Sequence, residues 1–323
     1  MAECCPIGGL CSMTVNGNVM DFVEFNPSAT VKILSDGSDK TIRGTLDHYE
    51  SDTDQGLQFV GFTVSMYMTQ QKMAILLPLM GLEAASTTYT LKDALPASGA
   101  TSPYNIVFDS FGTRSYTYTD CACGEWTVEG QKGANPIMIE LKFVAKTVTS
   151  AALPNSGVAP MRTTVVAANV MYGFTRGTMT IDGAERKFNQ FKLKMDYGLK
   201  EGTEFNNSVT ATNICPTEHN LTIDTSVLFS ACGDNTQELL EKPMGILSGQ
   251  AANSLTDGAA FVVSFTRTTS AGAVYTTSFT VANVKLIARP PKVDRDGFIR
   301  LPVHGIGYRT SAARLLVVQN SAA

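Results

Sequence analysis

A mainly β protein, with two tandem β-sandwich or barrel domains that each carry one short helix and a long loop, is what this 323-residue chain predicts. Three observations predict it. Thr, Ser, Val and Gly recur throughout while strong helix formers are sparse, a composition suited to strands. Several short stretches alternate apolar and polar residues, the period of a half-buried strand. The order of landmarks in the first half also returns in the second.

The first element is written twice, as MTVNGNVMDFVEF (13–25) and MTIDGAERKFNQF (179–191), with Met, Thr, Gly and two Phe in common. Both copies read as hairpins, because Asn16-Gly17 and Asp182-Gly183 suit a type I′ turn whose central residues need positive φ. Such a turn pairs Met13 with Met20 and sets Met13, Val15, Met20 and Phe22 on one face. After the second copy, Phe191, Leu193 and Met195 alternate with Lys192 and Lys194. Polar stretches come next, residues 26–55 and 197–219. They read as long loops, a length that is usually functional or ordered by a partner. The strands LQFVGFTVSM and NLTIDTSVLF follow, with Phe62-Thr63-Val64 matching Leu221-Thr222-Ile223 at an offset of 159.

One helix is expected in each half, beginning at Thr69 (TQQKMAILLPLMG) and at Thr236 (TQELLEKPMG). Threonine is a suitable N-cap, and Pro78 and Pro243 stop or kink the far end. Three further strands complete each half. YNIVFDS (104–110) parallels FVVSFTR (261–267), and SYTYT (115–119) parallels VYTTS (274–278). IMIELKF (137–143) parallels IRLPVHG (299–305), with Ile137, Ile139, Leu141 and Phe143 set against Ile299, Leu301 and Val303. Offsets run only from 157 to 166, far longer than a solenoid repeat. The duplicated object is therefore a whole domain: 1–149 and 162–323, joined by SAALPNSGVAPM at 150–161, rich in residues that punctuate structure.

Bulk properties exclude several classes. A net charge of −4 shows no global basic character, against general nucleic-acid binding. The longest apolar run, AILLPLMGL (74–82), is too short for a bilayer helix and contains a proline. MAECCPIGGL has neither a basic nor an apolar leader region, so folding in cytoplasm is expected. The seven cysteines are expected to be mostly buried thiols. Cys4-Cys5…Cys11 and Cys121-Ala122-Cys123 lack the spacing of tetrahedral zinc sites.

No catalytic motif stands out. His48 lies in the polar DHYESDTD, His219 precedes a strand, and His304 sits opposite the inward set of its strand. None has a Ser, Cys or carboxylate at a recognised catalytic spacing. GIG at 305–307 precedes no helix, so it is no phosphate loop. Residues 284–314 hold Lys285, Arg289, Lys292, Arg295, Arg300, Arg309 and Arg314 against Asp294 and Asp296. Phosphate contact is open to such a segment, but no aromatics interleave at stacking spacing, and an acidic neighbouring surface is the preferred partner.

The closing segment EWTVEGQKGANPIMIELKFVAKT (125–147), with Trp126, Gly130, Pro136 and the IMIELKF strand, resembles the bacteriophage tail-tube family, as does the opening GGLCSMTVNG (8–17). The second half departs from that pattern: it has no matching tryptophan, and RPPKVDRDGFIRLPV (289–303) stands in the closing position. The resemblance implies a structural virion protein and not an enzyme, without cofactor or metal. Its subunits would form stacked rings whose hollow tube conducts DNA into the host, in a non-contractile tail. Duplication implies a homotrimer with pseudo-sixfold symmetry, because a heterologous interface closes only when its rotation divides the circle. Implied partners are further copies of itself, other tail proteins at the tube ends and double-stranded DNA passing without specific binding, with no membrane. The implied location is the virion, after assembly in the host cytoplasm.

On this reading Ile33, Leu34 and Ile42 become buried on assembly, and Lys285, Arg289, Lys292 and Arg295 meet a neighbouring subunit. Charges facing the bore are expected to sum to negative, since each Lys or Arg contact would hold phosphate. Two alternatives share the evidence: a distal-tail or injection-machine ring protein, and a two-domain β-sandwich binding protein such as an adhesin.

Overall fold

A computed structural model describes residues 11–35, 53–92, 104–110, 114–133, 136–152, 170–202, 213–228, 239, 259–288, 292–293, 299–311 and 313–322. The first part of the chain holds β1 (Ser12–Val15), β2 (Asn18–Met20), β3 (Glu24–Ser35), β4 (Thr53–Tyr67), α1 (Gln70–Leu79), β5 (Leu82–Ala85) and β6 (Thr88–Leu91). Then come β7 (Ile106–Ser110), β8 (Arg114–Thr119), β9 (Ala122–Gln131), β10 (Met138–Ala145) and β11 (Thr147–Ala152). The later part holds β12 (Gly177–Ile181), β13 (Ala184–Glu185), β14 (Phe188–Asp196), β15 (Lys200–Gly202), β16 (Asn213–Cys215) and β17 (Asn220–Leu228). It ends with β18 (Ala259–Thr268), β19 (Val274–Ala288), β20 (Lys292–Val293), β21 (Ile299–Gly307) and β22 (Val317–Ala322). The protein is mainly β, with large antiparallel sheets.

Both opening hairpins take the expected turn. Asn16 and Gly17 have φ of 46° and 81°, Asp182 and Gly183 of 55° and 75°, as a type I′ turn requires. Met13 pairs with Met20, and both are buried with Val15. Thr69 caps α1, its side chain accepting a hydrogen bond from the Lys72 amide. Pro78 lies in the last turn, and Gly81 at φ 81° carries the chain away. Of the second expected helix only Leu239 is described, as helical and buried.

Among the described residues the first stretch expected to be a loop is strand, and the second is strand in part. Residues 26–35 and 53–55 belong to β3 and β4, a long hairpin in which Ile33 lies opposite Gln55 and Leu34 opposite Asp54. Ile42 lies outside the described residues. In the second half β15 and β16 pair as a separate two-stranded ladder, Lys200 opposite Cys215. These strands lack one clean apolar face, so they carry no period-two signal. At the joint, Ser150–Ala152 continue β11 against Arg114–Tyr116.

Strand pairing repeats between the halves. β1 pairs with β2 and β7, β7 with β8, and β8 with β11; likewise β12 pairs with β13 and β18, β18 with β19, and β19 with β22. In the second layer β3, β4, β10 and β9 run side by side, matched by β14, β17, β21 and the later part of β19. Registers agree too: Phe25 faces Val64 and Phe191 faces Thr225, while Leu141 also faces Val64 and Val303 also faces Thr225. Val64 therefore corresponds to Thr225, two residues beyond the match expected from sequence. Met13–Phe108–Tyr116 likewise corresponds to Met179–Val263–Phe279, displaced by even numbers from the expected matches. An even slip keeps every side chain on its face, so alternation cannot detect it.

The halves differ where β8 gives way to β9. There Asp120, at φ 52°, breaks the strand, whereas β19 runs through both layers unbroken. Between the layers lie Phe62, Trp126, Val128, Leu141, Leu193, Met195, Phe261, Phe265 and Phe279, all buried in one continuous cluster. The GIG motif packs here as strand. A Cβ on Gly305 would lie 2.6 Å from Val284 Cγ1, and one on Gly307 2.9 Å from Leu221 Cδ2.

Candidate functional site

The halves meet by sheet continuation. β9, the last strand of the first half's second layer, pairs antiparallel with β14 from Gln131 opposite Gln190 to Asp196 opposite Glu125. β14 is the counterpart of β3, so the junction is head to tail. It leaves two edges of the same kinds unpaired among the described residues: the outer side of β3 and the outer side of Lys285–Ala288 on β19. Ile287 and Ile306, 53% and 43% exposed, stand at the β19 edge. Such an edge is a template for another strand.

Beneath the junction Trp126, fully buried, donates from Nε1 to Tyr197 Oη at 3.2 Å, and Tyr197 Oη donates to the Met80 carbonyl. Burial raises the Tyr197 phenol well above its usual range, so it stays a neutral donor. The chain of bonds ties β9, the end of β14 and the cap of α1.

Above the junction lies a polar face made of ion pairs. Glu125 Oε1 accepts from Lys142 Nζ at 2.6 Å and Oε2 meets Lys194 Nζ at 2.8 Å. Lys192 lies 3.5 Å from Glu129, and His304 Nδ1 lies 2.7 Å from Asp224 Oδ1. Partial burial alone would raise the Glu125 carboxyl, but the two ammonium groups outweigh it and hold it low. Among the described residues Glu24, Glu125, Glu129, Glu140, Asp196 and Asp224 share this face with Lys142, Lys192, Lys194, Lys285, Lys292 and Arg300. A cavity of about 310 Å³ opens on it, lined among others by Glu129, Gln131, Met138, Lys192 and Asp224.

The assembly residues expected from sequence are scattered. Ile33 and Leu34 are on β3, at the free edge. Lys285 is on β19, its Nζ 5.6 Å from the centre of the Tyr308 ring. Lys292 is on β20, opposite Arg300. Arg289 and Arg295, like Ile42, lie outside the described residues. Sequence reasoning missed the β9–β14 junction, whose signal is faint: two strands 59 residues apart that each alternate charged and apolar residues.

Little chemistry presents itself elsewhere. Among the described residues no three His, Cys, Asp or Glu are grouped to hold a metal, and no helix is long and apolar enough to cross a membrane. Cys121 and Cys123 are buried thiols. Burial pushes Cys121 up to about 12 and Cys123 higher still, which keeps both protonated and unreactive. His219 packs edge-on against Tyr197, centroids 5.4 Å apart. Compared with known proteins, the chain matches no family model and no curated sequence.

Proposed function

We propose that this protein is a structural subunit that joins copies of itself head to tail into rings, stacked as a phage-type tail tube through which DNA passes. The observation that carries the reading is the β9–β14 junction. It joins two modules of one topology and leaves β19 and β3 in the relation of β9 and β14, ready to make the same contact between chains. A heterologous contact of this kind closes into a ring or runs on as a helix. Eight such strands per chain, in each of three chains, supply twenty-four to a closed sheet, which has no free edge left. Two modules per chain, spanning 1–149 and 162–323, then form a pseudo-sixfold homotrimer.

The apolar side of this sheet is covered by the other layer, so its polar side faces the bore. Of the cations there, Lys142, Lys192 and Lys194 are engaged in ion pairs with Glu125 and Glu129. Such a wall offers phosphate few free cations to bind, so DNA slides. No catalytic step is assigned. Negative-stain microscopy of the purified full chain at high concentration tests the reading: hollow tubes or stacked rings are expected, and a protein that stays monomeric overturns it.

A further inference from the structure

The two halves match in strand order and differ in what covers one strand. In the second half β22 is flanked on its outer edge by β6 of the first half, Val318 opposite Tyr89. Leu91 N–H donates to the Leu316 carbonyl at 3.1 Å and Asn320 N–H to the Thr87 carbonyl at 2.8 Å. Helix α1 closes the same end, where Asn320 Nδ2 donates to the Gln70 carbonyl at 3.0 Å. The arm α1–β5–β6 thus leaves its own half to cap the next one.

The counterpart of β22 in the first half is β11, because Tyr116 faces Ser150 as Phe279 faces Val318. Val148, Ser150 and Ala152 therefore correspond to Leu316, Val318 and Asn320. The second set is buried, at 0%, 0% and 3% exposure, whereas Val148 is 38% exposed and Ser150 and Ala152 are exposed. Among the described residues β11 pairs only with β8. In chain order, residues 229–258 stand between β17 and β18 where the arm stands between β4 and β7.

We propose that β11 is a docking edge for a second copy of this chain, covered on association as β6 and α1 cover β22. This rests on the head-to-tail reading above and gives it a second seam, one layer away from the first. By the same correspondence the outward amides of β11 are those of Val148, Ser150 and Ala152. Docking covers the β11 edge and buries the apolar Val148.

Hydrogen exchange of the full chain, followed from dilute to concentrated solution, tests this. The expected result is that the Val148, Ser150 and Ala152 amides slow by about tenfold or more on association, together with β3 and the end of β19. Slowing of β3 and β19 without β11 overturns this proposal and leaves ring formation standing. Slowing of β11 alone supports the docking edge and counts against a ring closed through β3 and β19, and no slowing anywhere overturns both. The variant Val148→Asp, at an exposed position, is expected to keep the monomer's melting temperature and lose the β11 protection; protection equal to that of the parent chain would overturn the proposal.

Discussion

Glu125 accepts from two lysines on two strands, Lys142 of β10 and Lys194 of β14, so one carboxylate pins both sides of the junction. Its pKa is lowered in the folded chain, so the stabilisation is present above the unfolded carboxyl's value of about 4.3 and is lost as pH falls through the folded value. Glu125→Gln is expected to cost up to about 1 kcal/mol at pH 7, a few degrees by calorimetry, with the difference vanishing in acid. Arg186 makes the opposite case. It occupies the place of Met20 in the first half, its amide bonded to Met179 O at 2.8 Å. The side chain is 3% exposed, and neither Nε nor Nη1 meets a hydrogen-bond partner among the described residues. An uncompensated buried cation is costly, so Arg186→Met is expected to raise the melting temperature; a fall would show that the guanidinium is held by a partner.

At the scale of elements, α1 has work in both halves. Its buried Met73, Leu76 and Leu77 join the common core, and its Gln70 carbonyl accepts from the second half's Asn320. Removing the cap with Thr69→Ala is expected to cost about 1 kcal/mol, visible as a lower midpoint in urea for the whole chain. The Thr69 cap and both I′ turns were legible because each rests on residues adjacent in sequence. The β3–β4 hairpin was not: neither TVKILS nor TDQGLQ alternates apolar and polar residues cleanly, and pairing partners supply what alternation does not. The matched pairs of strands were legible to within an even slip, since Val64 and Thr225 keep the same face whichever neighbour is chosen.

For the whole molecule, the repeated hairpin and closing strand of the sequence determined that a mainly β chain would return to the same order of strands. Periodicity records which face of a strand meets apolar matter, and that is a local property. It records nothing of which edge meets which. Only the tertiary structure decided that β9 continues into β14, that β6 reaches across to β22, and that β3, β11 and the end of β19 are among the edges left unpaired by the described residues. Those choices depend on backbone hydrogen bonds between residues far apart, and backbone groups are the same at every position. Ile33 and Leu34 lie on β3 and Lys285 on the end of β19, edges unpaired among the described residues, while the β11 edge carried no mark beyond a small-residue run, TVTSAA. Its meaning comes from comparison with β22, an equivalence that exists only once both halves are folded.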